Sequence, residues 1–142
     1  MSNPLNNIQM ASLVEAIKLA EEYSSGEIRV HIDGSTKENH AKVAFEIFKN
    51  LGMDKTKDRN AVLFHVDFQH KYLTIIGDKG IHEKVQQKFW DDLHDKVTTS
   101  FSEEKYFEGL YDAILITGLE LKKFFPHNGD NPNELSDEIT FS

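Results

Sequence analysis

Five carboxylates, Glu27, Asp58, Asp78, Asp137 and Glu138, are the residues through which this chain is best equipped to do chemistry. The chemistry they suit is the holding of a hard divalent cation. Crowded carboxylates repel one another and raise each other's pKa unless a positive charge sits among them, and an ion bound by several oxygens supplies that charge. Calcium is the first choice because it tolerates irregular loops, with Mg²⁺ or Mn²⁺ as alternatives. The run from Asp54 to Asp58 has the look of a calcium loop, but Arg59 stands where such a loop needs glycine and His65 where it needs glutamate, so it is not an EF-hand. Plainer roles are open to the same residues: Asp54 and Asp58 as loop charges balanced by Lys55, Lys57 and Arg59, and Asp78 as a cap between Gly77 and Gly80. A second set, Asp33, Asp67 and His70 with His31 and His65, has the composition of a hydrolase centre. The chain has no phosphate-binding glycine loop, no nucleophile elbow and no metalloprotease helix motif.

The elements that must position these residues follow from hydropathic periodicity. Residues 61–66 and 71–76 are two runs of β-favouring residues separated by Asp67, Phe68, Gln69 and His70, the pattern of a hairpin. Residues 27–33 alternate Ile28, Val30 and Ile32 with Glu27, Arg29, His31 and Asp33, which predicts a strand with one buried and one polar face. Amphipathic helices are expected over residues 5–23, stopped at Gly26 by a left-handed turn, and over residues 37–51 after a turn at Asp33 to Thr36. Two more are expected over residues 81–101 and from a cap at Ser102 through Phe125, before Pro126. Strand, helix and strand in succession make a crossover, so strands one and two run parallel and strand three antiparallel to them. That topology gathers Glu27, Asp58 and Asp78 at one end of the sheet. The polar tail, residues 127–142, contains Glu138 to Phe141 in β-like alternation and is expected to add an edge strand, bringing Asp137 and Glu138 towards the same end.

Composition narrows the partners. At 142 residues, with no repeat and no linker, the chain reads as one domain over residues 1–126 plus its tail. No cysteine is present, so disulfides, thiolate catalysis and thiolate metal ligands are excluded and oxygen and imidazole remain. A formal charge of −8 opposes binding to nucleic acid or anionic lipid, although a soluble protein also uses such excess simply to resist association. No stretch reads as a membrane span or secretory signal, and a cytoplasmic location is expected.

With the hairpin placed, the chain resembles the TPM domain family of bacterial and chloroplast proteins and a nematode receptor regulator. The resemblance rests on Ser25-Gly26-Glu27-Ile28-Arg29-Val30, on Arg59-Asn60-Ala61-Val62-Leu63, and on Ile75-Ile76-Gly77-Asp78-Lys79-Gly80-Ile81. Phe89-Trp90 and Tyr106-Phe107-Glu108-Gly109-Leu110 complete it, over residues 10–126, and many relatives have glycine in place of Ala61. It implies a three-layer αβα sandwich with a small mixed sheet of three to four strands and about four helices. The activities attached to the family are diverse: acid phosphatase, photosystem repair and regulation of receptor channels. Many members carry a secretion signal and a membrane anchor, whereas this chain resembles the short bacterial members made of the domain and an acidic tail. The expected function is a non-catalytic, calcium-binding regulatory or interaction module with an unidentified protein partner. A metal-dependent, acid-phosphatase-like hydrolase is the alternative.

Overall fold

Alternation along the strands sets the layers. The structure, a computed structural model, describes residues 3–34, 38–127 and 135–142. Strand β1 (Glu27–Ile32) pairs in parallel with β2 (Ala61–Asp67), Glu27 opposite Ala61 and Ile32 opposite Val66. Strand β3 (Tyr72–Gly77) returns antiparallel, with Val62 opposite Gly77 and Asp67 opposite Tyr72. The tail does come back: β4 (Thr140–Phe141) runs parallel to β1, His31 opposite Thr140, giving the sheet order β3-β2-β1-β4. Ile28, Val30, Ile32, Val62, Phe64 and Val66 face one core, with α1 (Asn7–Tyr23), α3 (Lys79–Ser102) and α4 (Tyr106–Phe124) packed over it. On the other face Ala61 and Leu63 meet Phe48 of α2 (His40–Asn50) and Met53 of a single 3₁₀ turn. These are the expected αβα layers.

Several local expectations change. Helix α1 opens with a reciprocal cap in which Asn6 Oδ1 accepts from Gln9 N and Gln9 Oε1 accepts from Asn6 N, at 2.7 and 3.0 Å. Gly26 does not end α1 in a left-handed turn; its backbone is not in that region. It is small because Leu121 of α4 packs where a Cβ would stand, only 2.6 Å away. The expected turn residues Ser35 and Thr36 and the helix start at Lys37 lie outside the described residues, as do Gly129, Pro132 and the Asn133–Glu134 pair of the tail. Helix α3 carries a kink at Gln86, whose φ is +65°. Strand β1 is enclosed on both faces: Glu27, His31 and the following Asp33 are all buried, because the returning tail covers what the sequence presents as a solvated face.

Ser102 caps nothing at α4. It ends α3, its hydroxyl donating to Thr99 O, and α4 starts four residues later at Tyr106, after an N-cap without a side-chain hydrogen bond at Lys105. What divides the helices is a Schellman-type stop. Lys105 N donates to Ser100 O and Glu104 N to Phe101 O, with Glu104 in the left-handed conformation at φ +60°. Glycine is the usual residue there, and its absence hides the stop from the sequence. Replacing Glu104 by glycine removes the steric cost of that conformation, so E104G is expected to raise stability by about 1 kcal/mol. Urea unfolding checks this; a lower midpoint would overturn it.

Candidate functional site

The three strands do bring Glu27, Asp58 and Asp78 to one end of the sheet, but each carboxylate meets a different partner. Ser25, in the link between α1 and β1, donates its hydroxyl to Asp58 Oδ2 at 2.7 Å and accepts from Asn60 Nδ2 at 3.0 Å. Asp58 itself is exposed. Asp78 is buried and fully engaged: Arg59 grips it with two hydrogen bonds, Nε to Oδ2 at 2.7 Å and Nη2 to Oδ1 at 2.9 Å. The same carboxylate caps α3 through Lys79 N at 2.8 Å. The hydrogen bond to Asp78, and then its charge, hold the Arg59 guanidinium above its ordinary value. Gly80 makes this clasp possible, since a Cβ there would collide with the carbonyl oxygens of Asp58 and Arg59.

Glu27 turns instead towards the tail. One carboxylate oxygen each from Glu21, Glu27 and Asp137 lie within 4.8 Å of one another. Glu21 stands on the last turn of α1, where periodicity assigns it to the polar side of the helix. The short link Ser24 to Gly26 folds that turn back over the start of β1, so that Glu21 Oε2 accepts from Ile28 N at 3.1 Å. This link is the signal in the sequence that points to Glu21. Its other oxygen, Oε1, is buried with no hydrogen-bond donor among the described residues. Burial, then contact with Asp137 and with Glu27 and the charge of Glu27, push the Glu21 carboxyl up to about 11, against the opposing Ile28 amide. Glu138 does not join the group; it is exposed, and its N–H donates to Ser136 Oγ. Of the five expected ligands, the structure therefore groups Glu27 with Asp137 and leaves Asp58, Asp78 and Glu138 outside.

The opposite end of the sheet pairs acids with imidazoles. His65 Nε2 lies 2.9 Å from Asp33 Oδ2, both side chains fully buried, and the His65 ring stacks on His31 at 5.8 Å between centroids. His31 in turn reaches the tail, with Nδ1 2.7 Å from Thr140 Oγ1 and Nε2 2.8 Å from Ser142 Oγ. Burial and the neighbouring His65 lower the His31 imidazole below its ordinary value, more than Asp33 raises it. Asp67 Oδ2 receives both His70 Nδ1 at 2.7 Å and His40 Nε2 at 3.1 Å. Burial pushes the Asp67 carboxyl up, and the bonds from His70 and His40 outweigh it to leave it below the ordinary value. His40, the first residue of α2, escaped the sequence reading because nothing in the spacing ties it to the hairpin 27 residues away.

The TPM domain model matches residues 2–117. The chain belongs to the TPM domain family. Among solved TPM-type structures, that of the BA42 protein from the psychrophilic bacterium Bizionia argentinensis is 35% identical, covers 100% of this chain and 98% of its own, and superposes with a TM-score of 0.91. The N-terminal domain of a P. gingivalis protein shares the fold alone, at 17% identity and a TM-score of 0.72 over 86% of this chain and 79% of that one. No curated protein matches. Among the described residues of this TPM domain, no helix is long and apolar enough to cross a membrane.

The raised Glu21 carboxyl has a measurable consequence in metal-free protein. Its folded value, about 11, lies above the ordinary 4.5, so the folded state holds the extra proton in between. The stability this contributes is fully present below pH 4.5 and is lost as pH rises towards 11, with a slope of up to about 1.4 kcal/mol per pH unit. Glutamine mimics the neutral acid. E21Q, measured with chelator present, is expected to unfold at a higher temperature than wild type at pH 8 and at the same temperature near pH 4. Parallel melting curves across that range would refute the assignment.

Proposed function

We propose that this TPM domain is a non-catalytic divalent-cation-binding module, with calcium as the preferred ion and Glu21, Glu27 and Asp137 as its protein ligands. The observation that carries the reading is the meeting of three carboxylate oxygens within 4.8 Å, at a place where Glu21 Oε1 is buried without a donor among the described residues. Calcium–oxygen bonds of about 2.3–2.6 Å put two ligands of one ion at most about 5 Å apart, which accommodates that spacing. The donor set is oxygen alone, as calcium prefers. Protonation of Glu21 and capture of a cation are rival ways of relieving the same repulsion, so metal binding releases a proton. Mg²⁺ and Mn²⁺ are the competing ions.

The ligands come from α1, β1 and the tail, and this gives the ion its regulatory use. Bound, it ties Asp137 to the sheet; removed, it leaves Asp137 beside two other acids. Calcium concentration then sets how firmly the tail is held, as expected of a module that presents or hides a surface for a protein partner.

Calorimetric titration of chelator-treated protein tests the reading. Wild type and D58N are expected to bind Ca²⁺ and to melt at a higher temperature when it is present, by about 2.7 kcal/mol of added stability at a hundredfold excess over Kd. E21Q is expected to lose both responses. Absence of heat and of any shift at millimolar Ca²⁺ in wild type would sink the proposal; loss in D58N with retention in E21Q would move the ion to the Asp58 loop.

A further inference from the structure

The acid–imidazole end of the sheet has a different coordination chemistry. Nitrogen atoms of His40 and His70 and an oxygen of Asp67 lie within 4.8 Å of one another, from three separate pieces of the chain: the first turn of α2, the hairpin turn and the end of β2. We infer that His40, Asp67 and His70 are the protein ligands of a second metal site, one that takes a d-block cation of the Zn²⁺ type.

Donor chemistry sets the class of ion. Two imidazoles and one carboxylate form a nitrogen-rich set that suits Zn²⁺, Co²⁺, Ni²⁺ or Cu²⁺ and disfavours calcium, which prefers oxygen alone. Geometry is close to what such an ion needs. The nitrogens stand 2.7 and 3.1 Å from the same Asp67 oxygen, and tetrahedral bonds of about 2.0–2.1 Å place ligands roughly 3.3 Å apart. The imidazoles have only to draw back by a few tenths of an ångström. Their present hydrogen bonds already turn both ring nitrogens towards the Asp67 carboxylate.

The ligands are also held in place. The Asp67 side chain is 1% exposed, and its second oxygen accepts from His70 N at 3.2 Å. Phe68, next in the chain, is buried against Phe101 and Tyr106 with ring centroids 5.6 and 5.3 Å away, which pins the turn carrying His70. The His40 ring stacks on Tyr72 at 4.1 Å. His70 is 49% exposed, so one side of the site faces solvent. Three protein ligands with an open side are the arrangement in which zinc keeps a water or accepts an anionic or carbonyl oxygen. The site lies at the carboxyl ends of the parallel strands β1 and β2, where open α/β sheets bind their ligands.

Cobalt reports such a site directly, through visible d–d bands that depend on its ligands. Tag-free, full-chain, metal-stripped protein is titrated with Co²⁺, alongside H70A, H40Q and E21Q. His70 is on an exposed turn, so H70A reads the site even where H40Q folds poorly, and far-UV circular dichroism confirms the fold of each variant. The expected result is one equivalent of Co²⁺ with bands of a four- or five-coordinate nitrogen–oxygen site, displaced by one equivalent of Zn²⁺ but not by millimolar Ca²⁺. Affinity should fall at least tenfold in H70A and stay at the wild-type level in E21Q. Absence of bands at millimolar Co²⁺ overturns the inference, as does wild-type affinity in H70A. Loss in E21Q alone would show that the cobalt had gone to the carboxylate cluster.

Discussion

The constraint on which this structure turns is that β1 buries its polar face. Glu27, His31 and Asp33 alternate with core residues and have almost no access to water, so each must find compensation within the protein. Three solutions are used along one strand. Asp33 is met by His65 of the neighbouring strand, and His31 by the hydroxyls of Thr140 and Ser142. Glu27 is met by two more acids, Glu21 and Asp137. In that last arrangement burial and the neighbouring acids drive the carboxyl of Glu21 far from its ordinary value.

The contrast with Asp78 shows how much the choice of partner matters. Asp78 is also buried, yet it receives a bidentate guanidinium and a helix N-terminal amide. Hydrogen bonds to a charged group contribute about 1.5–3 kcal/mol each, enough to keep the ion stable without help. Asp67 uses two imidazoles in the same way and stays easily ionised. The sheet thus has ends of different chemistry: a carboxylate cluster and the Arg59–Asp78 pair at the start of β1, and carboxylates paired with imidazoles at the close of β1 and β2.

Periodicity made most of the scaffold legible. The alternation in β1, the hairpin of β2 and β3, the crossover and the returning tail are each readable, and with them the placement of Glu27, Asp58 and Asp78 at one end of the sheet, though not their partners. What escaped were features in which a residue acts against type. Glu21 reads as the outer face of an amphipathic helix but turns inward because a three-residue link folds the helix end over β1. Glu104 occupies a position where glycine announces a helix stop, so α3 and α4 divide later than expected. Phe68 lies in a hairpin turn that reads as polar, yet it anchors that turn in an aromatic cluster. His40 and Asp67 are brought together by the packing of α2 against the sheet, and no local pattern encodes that contact.

The tail contributes only two residues of regular strand, but they lie beside β1 with Ser142 N donating to Ile32 O and Gly34 N to Ser142 O. Further along the same side, Glu21 stands in for a missing neighbour by accepting from Ile28 N. The outer side of β1 is thus closed by a carboxylate at one end and a short strand segment at the other. Detachment would bare a row of backbone donors and acceptors, onto which an extended segment of another polypeptide can add by β-augmentation. Asp137 lies three residues before Thr140, so the carboxylate cluster and the strand that covers this edge of the sheet are joined by one short length of chain.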